Sequence, residues 1–207
     1  MDVHSLAVGK AESDEQRVQR VLKEEIVIVA YDSRWPGRFR EEETHLRAVL
    51  PAELLGRIEH YGSTAVPGLP AKPIVDMLIE VTDLDATRAR IAPILEGEGY
   101  DYFWRPTFGD NVPPWYAWFI KRDQRGGART HHLHMITRGP EFSDHWRALL
   151  FRDYLRGHPD VAADYGALKA RLGAEHAHDR IAYTHGKSEI IAKVMERLTV
   201  AHRLEPQ

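Results

Sequence analysis

The chain has 207 residues, of which 43% are hydrophobic and 29% are charged, and its formal net charge is -3 at pH 7. These values are typical of a globular protein with a sizeable core, and the small negative charge excludes a general attraction to nucleic acid or to anionic membranes. The sequence contains no cysteine, which excludes disulfide bonds and thiol catalysis. No apolar run approaches the ~20 residues of a membrane span, and the start lacks the features of a secretory signal, so we expect a cytoplasmic protein.

The beginning of the chain predicts an extension, a strand and a helix. Residues 1–24 are polar and charged and offer few positions that a core would bury, so we expect an N-terminal extension. The run EIVIVAYD, residues 25–32, alternates and predicts a strand. Pro36 suits the first turn of the helix that follows, and Pro51 ends that helix.

The middle of the chain predicts most of a sheet. Residues 58–62 and 73–81 predict strands, and the segment between them, GSTAVPGLPAKP, predicts an irregular loop because it is rich in glycine and proline. The run DLDATRARIAPILEGEGY predicts a helix in which Pro93 interrupts the pattern. Residues 100–136 predict a meander of strands, of which WYAWFIKRD and THHLHMIT are the clearest.

The last third of the chain is helical in pattern, in the segments SDHWRALLFRDYLRGHP, DVAADYGALKARLGAEHA and GKSEIIAKVMERLTVAH. This order of elements predicts an α+β fold in one domain, residues 25–207, with a mixed sheet and helices in a sheet lobe at 25–140 and a helical lobe at 141–207. The cleft between the sheet and the helices is the expected site of function.

A single acid, Asp76, stands inside the apolar run PIVDMLIEV, where burying a carboxylate is costly unless a site needs it. The Gly62-Ser63 turn offers N–H groups and a hydroxyl that suit phosphate, although such dipeptides are also common in ordinary turns. Two-metal phosphoryl transfer requires carboxylates that share ions, and the residue at i+2 from Asp76 is Leu78. Glu80 lies ~13 Å along the strand from Asp76, which is too far to bind the same ion.

Two histidines are candidates for the same site. The run THHLHMI places His132 and His134 on one face of a strand and His131 on the other. With Asp76 they would form a two-histidine, one-carboxylate set, which suits zinc or another transition metal more than magnesium. The alternative is that these histidines orient or neutralise the carboxylate by hydrogen bonds, or contact substrate, without a metal.

Four basic residues are candidates for binding phosphate: Lys72 before the second strand, Arg129 at the hairpin, Arg152 on a helix, and Lys187 near a helix N-terminus. Fixed cations in a slightly acidic protein indicate a focused anion pocket. The alternative is that they lie on solvated helix faces and in salt bridges at the rim of the cleft.

Five runs in this chain, in this order, resemble the GrpB family, also called UPF0157: YDSRWPGRF, IEHYGSTAVPGLPAKPIVDMLIEV, RTHHLHMI, LLFRDYLRGHPDVAADYGALKARL and AYTHGKSEII. The resemblance covers roughly residues 25–200 and implies a nucleotidyltransferase-like fold of the DNA polymerase beta type. Active nucleotidyltransferases of that fold carry Asp-x-Asp or Asp-x-Glu after the Gly-Ser turn, whereas this chain has Asp76-Met77-Leu78. The later strand, where a third acid is expected, reads His132-Leu133-His134, so the ordinary two-magnesium site is incomplete.

We therefore expect a nucleotidyltransferase-like enzyme that acts on a nucleotide or another phosphorylated or anionic small molecule. Gly62 and Ser63 would bind phosphate together with the four basic residues, while Asp76, His132 and His134 would be catalytic or hold a divalent metal such as Mg, Mn or Zn. One alternative is a catalytically degenerate binding or partner module for a nucleotide or CoA-like ligand. Another is a non-nucleotidyl enzyme that uses the Asp-His-His cluster. No general nucleic-acid partner and no membrane are expected.

Overall fold

The computed structural model describes residues 24–107, 112–123 and 127–204, which form a five-stranded mixed sheet with helices. The strands are β1 (Leu55–Tyr61), β2 (Val75–Val81), β3 (Asp101–Pro106), β4 (Trp115–Arg122) and β5 (Arg129–Ile136). Their order across the sheet is β1-β2-β5-β4-β3, in which β2 and β5 are parallel and the other neighbouring pairs are antiparallel. The predicted α+β class is confirmed. The predicted extension, apart from Glu24, lies outside the described residues.

One face of the sheet carries the larger core. Val75, Met77 and Ile79 of β2 point to this face and are fully buried, because alternate side chains of a strand share a face. They belong to one apolar cluster with Leu46 of helix α1 (Trp35–Val49). Each large apolar side chain buried in this way contributes ~1.5–3 kcal/mol. This layer holds β2 in place and leaves the opposite face of the sheet for other side chains.

The helical segment after β2 contains a local widening. Helix α2 (Leu84–Ala86) continues through a π turn (Thr87–Ile91) into helix α3 (Ala92–Gly97). The sequence predicted one helix that Pro93 interrupts. Pro93 lies in the first turn of α3, where its missing N–H is tolerated, and the π turn accommodates the change of hydrogen-bond pattern.

The predicted strand at residues 25–32 is wrong, because this segment forms only an isolated bridge between Val29 and Ala71. Ile26 is buried beside Leu172 of the C-terminal helices instead of pairing in the sheet. The alternating pattern therefore indicated correctly that Ile26 is buried, but the residues that bury it belong to C-terminal helices rather than to a neighbouring strand.

Two strand boundaries also differ from the predicted ones. The first strand begins at Leu55 rather than at residue 58 and ends at Tyr61. The second begins at Val75 rather than at residue 73, where Pro73 has no N–H to donate to a neighbouring strand.

The opposite face of the sheet is covered by the C-terminal helices α4 (Ser143–Gly157), α5 (Pro159–Glu175), α6 (Arg180–His185) and α7 (Ser188–Leu204). Three predicted helical segments thus become four helices. The additional helix, α6, begins after Asp179, whose carboxylate accepts hydrogen bonds from two main-chain N–H groups of the first turn. Within the described residues, no helix combines the length and apolar character that crossing a membrane requires.

Candidate active site

The candidate site lies on the face of the sheet that the C-terminal helices cover. Strands β2 and β5 are parallel neighbours, and their register pairs Asp76 with His132 and Leu78 with His134. Paired residues in adjacent strands point to the same face, so all four side chains lie on one side of the sheet. Neither strand alone shows this convergence, because it depends on β5 lying next to β2.

The ligand atoms of Asp76, His132 and His134 lie within 4.8 Å of one another. The side chain of Asp76 keeps 28% of its surface exposed, so the carboxylate opens onto the cleft. Asp76 is therefore partly buried. Of the apolar residues that flank Asp76 in sequence, Met77 belongs to the larger core and Leu78 to the cluster on the opposite face of the sheet.

The hydrogen bonds of the two histidines leave an acceptor atom available. His132 Nδ1 lies 3.0 Å from Asp76 Oδ1, and it must be the donor because a carboxylate only accepts. In a neutral imidazole, Nε2 of His132 then carries the lone pair, and this buried atom has no hydrogen-bond partner within the described chain. His134 Nδ1 lies 3.2 Å from the Tyr116 hydroxyl. Because Nε2 of His132 lies on the side of the ring away from Asp76, a cation shared by Asp76 and His132 would bind Nδ1 and replace the hydrogen bond between these two residues.

The protonation states of these groups suit a cation. Burial raises the pKa of Asp76, but the hydrogen bond from His132 and the neighbouring basic groups outweigh burial and lower that pKa overall. Burial lowers the pKa of His132 and lowers the pKa of His134 well below its usual value. One carboxylate and two neutral imidazoles therefore form the donor set that transition metals bind.

Gly62 allows the loop after β1 to approach Asp76. Its φ of 70° and ψ of -170° define a region that essentially only glycine adopts. A Cβ at this position would lie 2.6 Å from Asp76 Oδ2, so a side chain would displace the carboxylate. Ser63 follows directly, and it lines the same cavity as Tyr165. The structure therefore brings the Gly-Ser turn and Asp76 together.

Lysines surround this carboxylate, and two of them face one aromatic ring. The Nζ atoms of Lys72 and Lys187 lie 5.7 Å and 4.4 Å from the centroid of the Tyr183 ring. Burial lowers the pKa of Lys72 and lowers the pKa of Lys187 to about 8. The negative charge of Asp76 acts on both lysines in the opposite direction. Two partly desolvated ammonium groups repel each other, and a nearby anion would reduce this repulsion.

Lys169 is a third lysine of this group, and sequence reasoning missed it. Its Nζ donates a hydrogen bond to the Pro70 carbonyl and lies 4.8 Å from the centroid of the Tyr165 ring. The residue is 2% exposed. A signal was available, because Tyr165, Lys169 and Leu172 have the spacing of one buried helix face.

Replacing Lys169 by Met should flatten the pH dependence of stability. Burial, followed by the charges of Lys187 and Lys72, lowers the pKa of Lys169 to about 7, against ~10.4 in the unfolded chain. Between these values the folded protein binds fewer protons than the unfolded chain, so the free energy of unfolding rises with pH. Urea unfolding at pH 7 and pH 9 should show this rise, reduced by ~1–2 kcal/mol in Lys169→Met.

Lys193→Met is the matched control for this measurement. Lys193 is exposed on α7 and pairs with Glu189 four residues earlier, so Lys193→Met removes a lysine from the surface rather than from a buried position. This variant should keep the full rise between pH 7 and pH 9. An identical rise in Lys169→Met and the unmodified protein would show that another group titrates.

The structure places the two predicted phosphate-binding arginines in ion pairs. Arg152 Nη1 donates to Glu59 Oε2 at 2.7 Å, and Arg152 Nε donates to Asp153 at 2.8 Å. The contact with Glu59 holds α4 against β1, whereas Asp153 belongs to α4 itself. Arg129 pairs with Glu24 at the start of β5. The structure therefore brings Gly62, Ser63, Lys72 and Lys187 together near Asp76, and it gives the two arginines protein partners.

Aromatic side chains of β4, which sequence reasoning did not assign to the site, orient the histidines. The ring of Tyr116 stacks on His134 with centroids 5.6 Å apart, and the rings of Trp118 and His132 lie 5.1 Å apart. The guanidinium carbon of Arg105 lies 4.8 Å from the centroid of the Trp118 ring. The period-2 pattern of WYAWFIKR places Tyr116 and Trp118 on one face, but it does not show which strand lies beside them.

A cavity of about 340 Å³ opens beside the Gly62-Ser63 turn, between the sheet and the helices. Its apolar lining comes mostly from the C-terminal helices and includes Val66, Phe151, Leu155, Tyr165, Ile191 and Met195. The volume and the apolar lining are typical of a small-molecule site.

Comparison with known proteins identifies the family of this chain. Residues 25–197 match the family described as GrpB protein. The chain belongs to the GrpB family. Among its GrpB-family relatives, the UPF0157 protein PA4798 of Pseudomonas aeruginosa is 40% identical over 191 residues, which are 92% of this chain and 74% of that protein. The UPF0157 protein YqkA of Bacillus subtilis is 38% identical over 175 residues, which are 84% of this chain and 47% of that protein.

A crystal structure of the conserved protein GrpB from Enterococcus faecalis has the same fold. It superimposes with a TM-score of 0.69 at 29% sequence identity, over 83% of this chain and 99% of that one. The family resemblance predicted from the five sequence runs is therefore confirmed. In this GrpB-family chain the residue two positions after Asp76, Leu78, is fully buried in the core, so the site has one acid and two histidines.

Proposed function

We propose that this GrpB-family protein is a nucleotidyltransferase-like enzyme that acts on a nucleotide or another phosphorylated small molecule and uses one divalent cation at Asp76, His132 and His134. The observation that carries the proposal is the convergence of these three ligand atoms within 4.8 Å, beside a group of lysines. A bound cation next to ammonium groups favours an anionic ligand. A phosphate group can bind the cation and the ammonium groups at the same time.

The surrounding groups have separate roles in the proposed reaction. The Ser63 hydroxyl and the main-chain N–H groups after Gly62 bind phosphate oxygens. Lys72 and Lys187 neutralise the negative charge that grows on the leaving group. A bound cation would polarise the phosphoryl group.

The donor set favours one cation rather than two. Leu78 cannot ligate, and it stands where a second carboxylate would share the ion with Asp76. Two imidazoles and one carboxylate favour manganese, iron or zinc over magnesium, which prefers oxygen ligands. The proposed chemistry therefore differs from ordinary two-magnesium nucleotidyl transfer.

The test is the metal content and the turnover of untagged protein, since a histidine tag would bind metal itself. We expect stoichiometric manganese, iron or zinc by elemental analysis, and consumption of a nucleoside triphosphate with a panel of small acceptors. Mass spectrometry of the products distinguishes transfer of a nucleotidyl group from simple hydrolysis, which would favour the non-nucleotidyl alternative. Protein that neither holds a metal nor consumes any phosphorylated compound would contradict the proposal.

A ligand-binding module without turnover is a second candidate, and the burial of Leu78 favours it. A site that lacks the second carboxylate can keep its phosphate-binding groups and lose its chemistry. This candidate predicts that a nucleotide or a CoA-like ligand stabilises the protein by ~2.7 kcal/mol at a concentration of 100 Kd. Thermal unfolding would show the shift, and the ligand would be recovered unchanged.

A further inference from the structure

A second cavity, of about 640 Å³, has a charged lining that is mostly basic. We refer to it as the basic cavity, and its charged lining residues are Glu24, Glu25, Lys72, Arg122, Arg129 and Arg180. Arg129 is the first residue of β5, so it lies ~10 Å along the strand from His132. The basic cavity is therefore separate from the proposed metal site, although Lys72 belongs to the surroundings of both.

Glu24 supplies an anion to the basic cavity. Its Oε1 lies 2.9 Å from Arg122 Nη2, and its Oε2 pairs with Arg129 Nε. The main-chain carbonyl of Glu24 accepts a hydrogen bond from Arg180 Nη2 at 3.3 Å. One carboxylate thus bridges two guanidinium groups, and arginines bind phosphate oxygens through the same N–H geometry.

Arg129 is the arginine of the basic cavity whose burial calls most clearly for an anionic partner. The side chain of Arg129 is 2% exposed. Burial, followed by the charge of Arg180, lowers the pKa of Arg129 to about 10, so it remains charged at pH 7. Leaving one charge of a buried pair without its partner costs ~3–5 kcal/mol. Arg180 Nε is also buried, and it donates no hydrogen bond to any of the described residues.

We propose that the basic cavity is a phosphate-binding site and that Glu24 is its internal competitor. A phosphate group of a phosphate ester or of an inorganic polyphosphate would displace the Glu24 carboxylate from Arg122 and Arg129. Phosphate carries more charge and more acceptor oxygens than a carboxylate, so it can bridge both arginines and also reach Arg180. When no phosphate is bound, Glu24 pairs with both arginines, and Arg122 also donates a hydrogen bond to Asp101 Oδ2 at 2.8 Å. This proposal does not depend on turnover at Asp76.

The test measures pyrophosphate binding to the full chain by calorimetry, with EDTA present so that no metal contributes. Glu24→Gln keeps the shape of the side chain and removes its charge. Because the competitor is weakened, we expect pyrophosphate to bind about tenfold more tightly to Glu24→Gln than to the unmodified protein.

Glu25→Gln is the matched control, because it removes the same charge from an exposed residue of the same cavity. Its affinity should stay within about twofold of the unmodified protein, since exposed charges are screened. In the Glu24→Gln background, Arg180→Gln should weaken binding.

Two results would overturn the proposal: equal affinities for Glu24→Gln and Glu25→Gln, or a gain of affinity in Glu24→Gln that Arg180→Gln leaves unchanged. The metal content of Glu24→Gln should equal that of the unmodified protein, so failure of this proposal is distinguishable from failure of the proposed active site.

Discussion

Replacing Asp76 by Asn should abolish metal binding and turnover while the protein keeps its fold. The amide has the size of the carboxylate, but it lacks the charge that balances a cation beside His132 and His134. We expect metal affinity to fall by at least ~10–100-fold and the rate to fall by ~10²–10⁴-fold. Elemental analysis measures the first effect, and initial rates with excess metal measure the second.

Glu80→Gln is the matched control for Asp76→Asn. Glu80 lies on the same face of β2, four residues further on, and its ion pair with Arg138 at 3.1 Å is partly exposed. It should retain the metal and the rate, because it lies too far from the ligand set to contact the cation. If Asp76→Asn holds metal as well as the unmodified protein does, Asp76 serves only to orient His132. If both variants lose the same metal affinity and rate, the cause would be the loss of a negative charge anywhere on β2 rather than the loss of a ligand at Asp76.

Gly62→Ala should destabilise the protein by ~2–6 kcal/mol and weaken metal binding at the same time. The backbone conformation, φ 70° and ψ -170°, by itself costs a non-glycine residue ~1–3 kcal/mol. The new Cβ, 2.6 Å from Asp76 Oδ2, adds an overpacking cost of ~1–3 kcal/mol. The carboxylate must then move away from His132, so metal affinity should fall. Urea unfolding and metal titration of the same preparation measure the two effects.

Gly68→Ala separates backbone strain from contact with the site. Gly68 also has a positive φ, 78°, but no heavy atom lies within 4 Å of the position that its Cβ would occupy. This variant should cost ~1–2 kcal/mol and leave metal affinity unchanged. Should Gly62→Ala and Gly68→Ala lose the same stability and both keep the metal, the contact between position 62 and Asp76 would have no role.

Several site residues were predictable because local rules govern them. A period of two places His132 and His134 on one face of a strand, and the absence of an acid at Leu78 is visible directly. The Gly62-Ser63 turn follows from the glycine and proline content of its loop. The alternation at residues 25–32 is equally regular, yet it predicted a strand where helices cover the segment. A hydrophobic period in the sequence indicates that one face of a segment is buried, but it does not show which other segment packs against that face.

The lysines and arginines show the same limit, because the sequence does not show which charged or polar groups lie next to each of them. Sequence reasoning gave Arg152 and Lys187 the same phosphate-binding role, although Arg152 pairs with Glu59 from a distant strand. Lys169 escaped notice because its ammonium contacts the Pro70 carbonyl, 99 positions away in sequence. Partners so far apart in the chain decide whether a cation is available for a ligand.

By itself, the sequence determined the local properties of this protein: the α+β order of elements, the faces on which the histidines lie, and the single acid in the second strand. Only the tertiary structure decided that β5 lies parallel to β2, which places His132 beside Asp76. It also decided that Gly62 contacts Asp76 and that Glu24 pairs with Arg129. The physical reason is that strand order and ion pairing depend on contacts between distant segments, whereas hydrophobic periods and turn chemistry act within a few residues.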